Sequence, residues 1–148
     1  MKKQAVLNEL SRILQERAEA LKAALATTLE ARNSDTKSSA GDKHEVGRAM
    51  VQQELDQLEG RLAIAQSMQN ELSRVNLDLH HDRVGFGSLV KTDQGVFFIA
   101  VALGAVEVGN ATCYAISLAS PMGQALLGKQ AGGVAVLNGR SIRIEEVN

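Results

Sequence analysis

The 148-residue chain has no tryptophan, one cysteine, one proline and only four aromatic residues. A lone Cys113 excludes an internal disulfide and suits a reducing compartment, so a cytoplasmic location is expected. No stretch approaches the roughly 18 consecutive apolar residues of a membrane span. The start, Met1-Lys2-Lys3-Gln4-Ala5-Val6-Leu7-Asn8-Glu9, turns to charge too soon for a secretion signal. A surplus of one charge is missing as well: residues 1–79 carry 11 Lys/Arg against 12 Asp/Glu, residues 80–148 carry 5 against 5, and the net charge is −1. Proteins that grip a duplex directly draw most of their non-specific affinity from basic residues, so direct binding to duplex DNA is not expected. With 45% hydrophobic and 22% charged residues, the composition is that of a folding chain of one ordinary domain or two small ones.

Residue usage changes sharply along the chain. All four aromatics (Phe86, Phe97, Phe98, Tyr114) and 10 of the 13 glycines lie after residue 79. The first half is rich in Ala, Leu, Glu, Gln, Lys and Arg, the strong helix formers. The composition shift places a domain boundary at residues 77–84, giving a helical region over 1–79 and a second domain over 80–148. In the first region Val51, Leu55, Leu58, Leu62, Ala65, Leu72 and Leu79 follow the alternating four-and-three steps of a coiled coil, with Gln69 and Asn76 in two seam positions. Leu7, Leu10, Leu14, Leu21 and Ala24 do the same upstream, with Arg17 interrupting. Between these arms, residues 33–41 lose the repeat and gather turn residues. An antiparallel helical hairpin follows, each arm about 45 Å long at the helical rise, with its tip near 35–45.

The second region reads as strands over 88–92, 96–102, 106–108, 112–117, 134–137 and 141–147. Asn138-Gly139 is a type I′ hairpin signal, and Asp93-Gln94-Gly95 and Gly109-Asn110 mark further turns. One helix interrupts, with Ser120 as N-cap, Pro121 as first helical residue and Gly128 as stop. The fold class expected is α+β: a coiled-coil hairpin followed by a small antiparallel sheet with one helix. Phe97 and Phe98 are expected to pack on opposite faces of their strand, and Cys113 to be a small packed residue that no histidine or acid is spaced to activate. His80-His81-Asp82 reads as linker, because adjacent histidines point apart and no third metal ligand has useful spacing.

Asp42 and Glu45, in Gly41-Asp42-Lys43-His44-Glu45, stand at the tip. Their i, i+3 spacing puts both carboxylates on one helix face. One reading is a capping pair, Asp42 as N-cap with Glu45 at N3; Ser39 as N-cap with Asp42 at N3 works equally well. The other is a site for a divalent ion. Mg²⁺ typically takes one or two carboxylates together with substrate phosphates, so the pair is useful where a partner supplies the first metal and a phosphodiester. Lys37, Lys43, His44 and Arg48 are available to meet phosphate or an acidic wall, or are simply solvated.

Gly41-Asp42-Lys43-His44-Glu45 at a hairpin bend, followed by Glu59-Gly60-Arg61-Leu62, resembles the Gre family of bacterial transcript-cleavage elongation factors, with its Gly-Asp-x-x-Glu tip and later Glu-Gly-Arg. Ala115-Ile116-Ser117 through Ser120-Pro121 and Ala125-Leu126-Leu127-Gly128-Lys129 is similar to that family's Ile-Ser-x-x-Ser-Pro…Leu-Ile-Gly-Lys segment. The two signatures keep order and spacing over nearly the whole chain. The resemblance implies an FKBP-like second domain that docks on RNA polymerase through the region of Ser120, Pro121, Gly128 and Lys129, and a hairpin that enters the secondary channel. It further implies that Asp42 and Glu45 help hold the second Mg²⁺ within the polymerase complex, where backtracked nascent RNA is cleaved. The chain would then be an accessory factor with no cofactor of its own rather than an enzyme. Prolyl isomerase activity does not transfer with an FKBP-like fold, and four aromatics are few for an aromatic-lined proline pocket. After Glu45 the family continues Asn-Ala-Glu-Tyr, where this chain has Val46-Gly47-Arg48-Ala49. Two alternatives stand beside cleavage: a non-cleaving secondary-channel regulator, and a coiled-coil adaptor or chaperone unrelated to transcription.

Overall fold

A computed structural model describes the backbone of residues 1–35 and 41–148 and the side chains of residues 1–34 and 46–148. Two long helices, α1 (Lys3–Asp35) and α2 (Gly41–Ser73), precede six strands and a short helix. The strands are β1 (Leu89–Thr92), β2 (Gly95–Ile99), β3 (Gly104–Val108), β4 (Ala111–Ile116), β5 (Val134–Leu137) and β6 (Arg140–Val147), with α3 (Pro121–Leu126) between β4 and β5. The fold is thus α+β, as the change of period predicts. No helix among the described residues is long and apolar enough to cross a membrane. The chain divides into two compact units, Met1–Arg12 with Asn70–Asn148, and Ile13–Gln69, so the division runs inside both long helices.

In the helical unit α1 and α2 run antiparallel. Gln69 donates to Gln15 and Arg32 donates to Gln52; stepping up α1 from Gln15 to Arg32 steps the partner back from Gln69 to Gln52 by the same number of residues. Gln69 therefore fills its seam position with a cross-helix hydrogen bond. The buried row of α1 is Val6 and Leu10 in the part that belongs to the sheet unit and Leu14 and Ala18 in the helical unit. It corrects the sequence phase at two positions: Val6 rather than Leu7 is fully buried, and the row passes through Ala18 while Arg17 is exposed. Each step of four advances about 40° around a helix, so the row drifts around α1 instead of holding the nearly straight stripe of a heptad repeat.

Both ends of the expected hairpin shift. Residues 33–35, expected in the break, are helical, since propagating a helix past Asn or Ser costs well under 1 kcal/mol each while starting one is expensive. α2 stops at Ser73, so Asn76 and Leu79 do not occupy seam positions, and Leu79 is exposed. The reason is local: the Asn76 carboxamide oxygen accepts from the Asp78 N–H, a turn that competes with helix.

The sheet has the order β3-β4-β2-β1-β6-β5. All ladders are antiparallel except β2–β4, which is parallel, so the purely antiparallel sheet expected from sequence is corrected at one pair. Residues 100–103 carry the chain from β2 past one strand position to the edge, and the β3–β4 hairpin then returns β4 beside β2. Asn138 and Gly139 both take positive φ (53° and 77°), the type I′ geometry read from their sequence. One sheet face builds a core of Val90, Phe97, Ile99, Leu126, Ile142 and Ile144. Leu89, Phe98, Cys113 and Ala115 alternate onto the other face, and the register pairs Leu89 and Ala115 with Phe98. They are almost completely buried, as are Val6, Leu10 and Leu72 of the same unit. Phe97 and Phe98 thus pack on opposite faces, as alternation requires.

Candidate functional site

Positions 42 and 45 fall within the span of α2, while the side chains of Asp42 and Glu45 lie outside the described residues. Of the flanking candidates, Lys37, Lys43 and His44 also lie outside them, and Arg48 is described and exposed. Val46 and Met50 follow the tip one turn apart and are both exposed, 62% and 66%. They give the first described turn after the tip an apolar stripe where the resemblance expects polar and aromatic groups. Among the described residues no group of three or more His, Cys, Asp or Glu side chains is placed to hold a metal ion.

The second motif forms one tightly built corner. Ser120 is the N-cap of α3: its Oγ accepts from the Gly123 N–H at 3.0 Å and donates to the Ser117 carbonyl at 2.7 Å. Pro121 opens the helix, where its missing N–H costs nothing and its fixed φ already fits. Gly123 is the closest-packed point, since a Cβ there would run into the Ser117 and Leu118 carbonyl oxygens. The Gln124 side chain donates to the same Leu118 carbonyl at 2.7 Å. At the other end Leu127 caps the helix and Gly128 takes φ 76°, the left-handed residue expected just past a helix end. The Gly128 N–H reaches out of the helix to the Val84 carbonyl (2.8 Å), and the Val84 N–H donates to the Lys129 carbonyl (2.9 Å). Ser120, Pro121, Gly128 and Lys129 are therefore brought together by one helix and its two ends, and the segment entering the domain is tied to them. The tether through Val84 had no signal in the sequence, because the two segments lie far apart in the chain.

Glu59 and Arg61 of Glu59-Gly60-Arg61-Leu62 are exposed on α2, and Leu62 is half-buried. Arg61 borders a groove with Arg17, Leu21, Ile64 and Ala65, between the two helices of their own unit. In the sequence Arg17 is only a break in the seam; the antiparallel pairing is what brings it to the same groove as Arg61. His81 is half-buried, and burial first, then the nearby Lys3 and His80, lowers its pKa from the ordinary value. Cys113 is completely buried, and burial pushes its thiol up to about 11, which leaves it inert at neutral pH.

No family profile and no curated protein matches the chain. Among solved structures, that of the transcription factor Gfh1 is similar, with 22% sequence identity over 94% of this chain and 93% of that one, at a TM-score of 0.39.

Proposed function

We propose that the chain is a transcription elongation factor of the Gre type that binds RNA polymerase and stimulates its cleavage of backtracked nascent RNA. The observation that supports this best is the corner just described. The Ser-Pro…Gly-Lys residues that carry the sequence resemblance are the cap, first residue, stop and tether of α3. The corner leaves Pro121, Leu127 and Lys129 exposed on a rigid frame, which suits a docking surface. The paired helices supply the second part of the reading. Asp42 and Glu45 lie at the start of α2 in the two-helix unit, whose exposed cation Arg61 suits the acidic wall of a channel.

Two hard carboxylate oxygens one helical step of three apart fit a share in Mg²⁺, and too few donors are present to hold that ion without a partner. When bound in the polymerase complex, the ion would lower the pKa of its water and neutralise charge on the phosphate under attack. The chain itself would contribute position: Asp42 and Glu45 stand at the start of α2, and in the complex their carboxylates would accept hydrogen bonds from the attacking water. In this reading the chain is an accessory factor and the polymerase remains the catalyst.

The test adds wild type and Asp42→Ala/Glu45→Ala protein to backtracked complexes and follows RNA length and polymerase binding. The expected result is Mg²⁺-dependent shortening with wild type, its loss in the double variant, and unchanged binding of both. Failure of both proteins to bind would overturn the reading in favour of an adaptor unrelated to transcription. The exposed Val46, Arg48 and Met50 favour a second reading, a secondary-channel regulator that does not cleave. It predicts slowed or retuned elongation that the double variant retains.

A further inference from the structure

The sheet unit contains a cavity of about 550 Å³ that the polymerase reading does not use. Phe97, Leu137, Ile142 and Met122 of α3 supply its apolar lining, together with the ring of Tyr114. Phe97 and Tyr114 are register partners in the parallel β2–β4 ladder, and their rings stack with centroids 5.5 Å apart and planes 30° from parallel. Gly95 lets the Tyr114 ring lie flat over the strand, since a Cβ there would come within 3.2 Å of it. Tyr114 is nevertheless 39% exposed while Phe97 beneath it is 7% exposed, so the face a visitor meets is the Tyr114 ring, backed by core. Two of the chain's four aromatics thus meet in one cavity, a concentration invisible in their sequence positions.

The polar lining residues, Gln94, Asn138 and Arg140, are all exposed at the rim and come from two different turns and a strand start. The Arg140 guanidinium has no hydrogen bond or ion pair among the described residues. A small metabolite is normally oriented by polar groups inside its pocket. Here the buried part of the lining is apolar, while the charged and amide groups of the lining are all on exposed residues. That arrangement suits an extended chain with one residue inserted and its backbone and neighbouring acid lying along the rim.

We infer that this cavity binds a peptide segment of a protein partner in which an aromatic or large aliphatic residue adjoins Asp or Glu, the side chain packing on the exposed Tyr114 ring and the carboxylate pairing with Arg140. The inference does not rest on the polymerase reading. The probe is N-acetyl-Gly-Phe-Asp-Gly-amide, titrated into the full-length ¹⁵N-labelled chain, with Asn and Lys versions of the peptide as comparisons. Saturable shifts are expected at the amides of Phe97, Tyr114, Met122 and Ile142, with a Kd on the order of 1 mM for so short a ligand. The Asn peptide is expected to bind about tenfold more weakly, as the loss of a charge-assisted bond implies. Arg140→Gln should erase that difference and Arg140→Lys should keep part of it. Arg140 is exposed, so both variants are expected to retain the wild-type spectrum away from the cavity. Equal binding of the Asp and Asn peptides, shifts centred elsewhere, or no saturable shift at all by about 10 mM would overturn the assignment.

Discussion

The helical unit and the sheet unit spend their apolar residues differently. In the sheet unit both faces of the sheet are covered, and Phe98, Ile99, Leu126, Ile144, Val90 and Cys113 are almost entirely removed from solvent. Among the described residues of the helical unit full burial is confined to one seam: Leu14, Ala18, Leu55 and Ala65, two of them alanines. Two helices share a single interface, so most of each circumference faces water, and Ile64 there is 59% exposed. The two units therefore differ in where their sequence can vary freely. A hairpin held by a narrow seam can change its outer faces at little cost in stability, whereas the sheet unit penalises changes at the residues buried on either face of its sheet.

The strongest challenge to that contrast is Phe98→Ala. It removes the largest fully buried side chain and should cost about 3–5 kcal/mol, read as a lowered urea midpoint. A loss below about 1 kcal/mol, a value typical of surface positions, would mean that the second sheet face is not true core. Next comes one substitution made in a helix of each unit. Gly123→Ala drives a Cβ into two backbone carbonyls and should destabilise by about 2 kcal/mol or more. Gly60→Ala, with nothing within 4 Å of the new Cβ, should stabilise by about 1 kcal/mol through helix propensity. The same sign at both sites, measured by thermal or urea unfolding, would remove the distinction. The smallest effect concerns pH at the base of the sheet unit. His81 is held below its ordinary pKa by burial first, then by Lys3 and His80. The unfolded chain therefore takes up the proton first, and stability should fall as pH drops below about 6.5. His81→Gln should flatten that slope between pH 5 and 7, and an unchanged slope would assign the acid sensitivity to other groups.

Much of this fold is legible in the sequence wherever the signal is local. The Asn138-Gly139 turn, the Ser120-Pro121 helix start and the Gly128 stop each depend on residues within a few positions, and each stands where its chemistry requires. The six strands appear at their expected places with small shifts at the ends. Where local signals competed, reading failed in understandable ways. Asn76 offered the backbone a turn that ended α2 before Leu79, and residues 33–35 stayed helical because extending a helix is cheap. Of the proposed site, Ser120, Pro121, Gly128 and Lys129 were legible as a motif, and their tether to Val84 was not. Arg17 was legible only as an irregularity, since its neighbour across the seam comes from the other helix.

Composition and spacing alone determined the two periods, the antiparallel pair of long helices, the number of strands and the capped helix between them, because hydrophobic periodicity and turn chemistry act between near neighbours. Only the tertiary structure decided that β4 returns parallel beside β2, that Ala18 rather than Arg17 faces the seam, and that Phe97, Tyr114 and Arg140 border one cavity. Those outcomes depend on which distant segments bury one another. A strand's own sequence states which residues want to be covered and leaves open what will cover them.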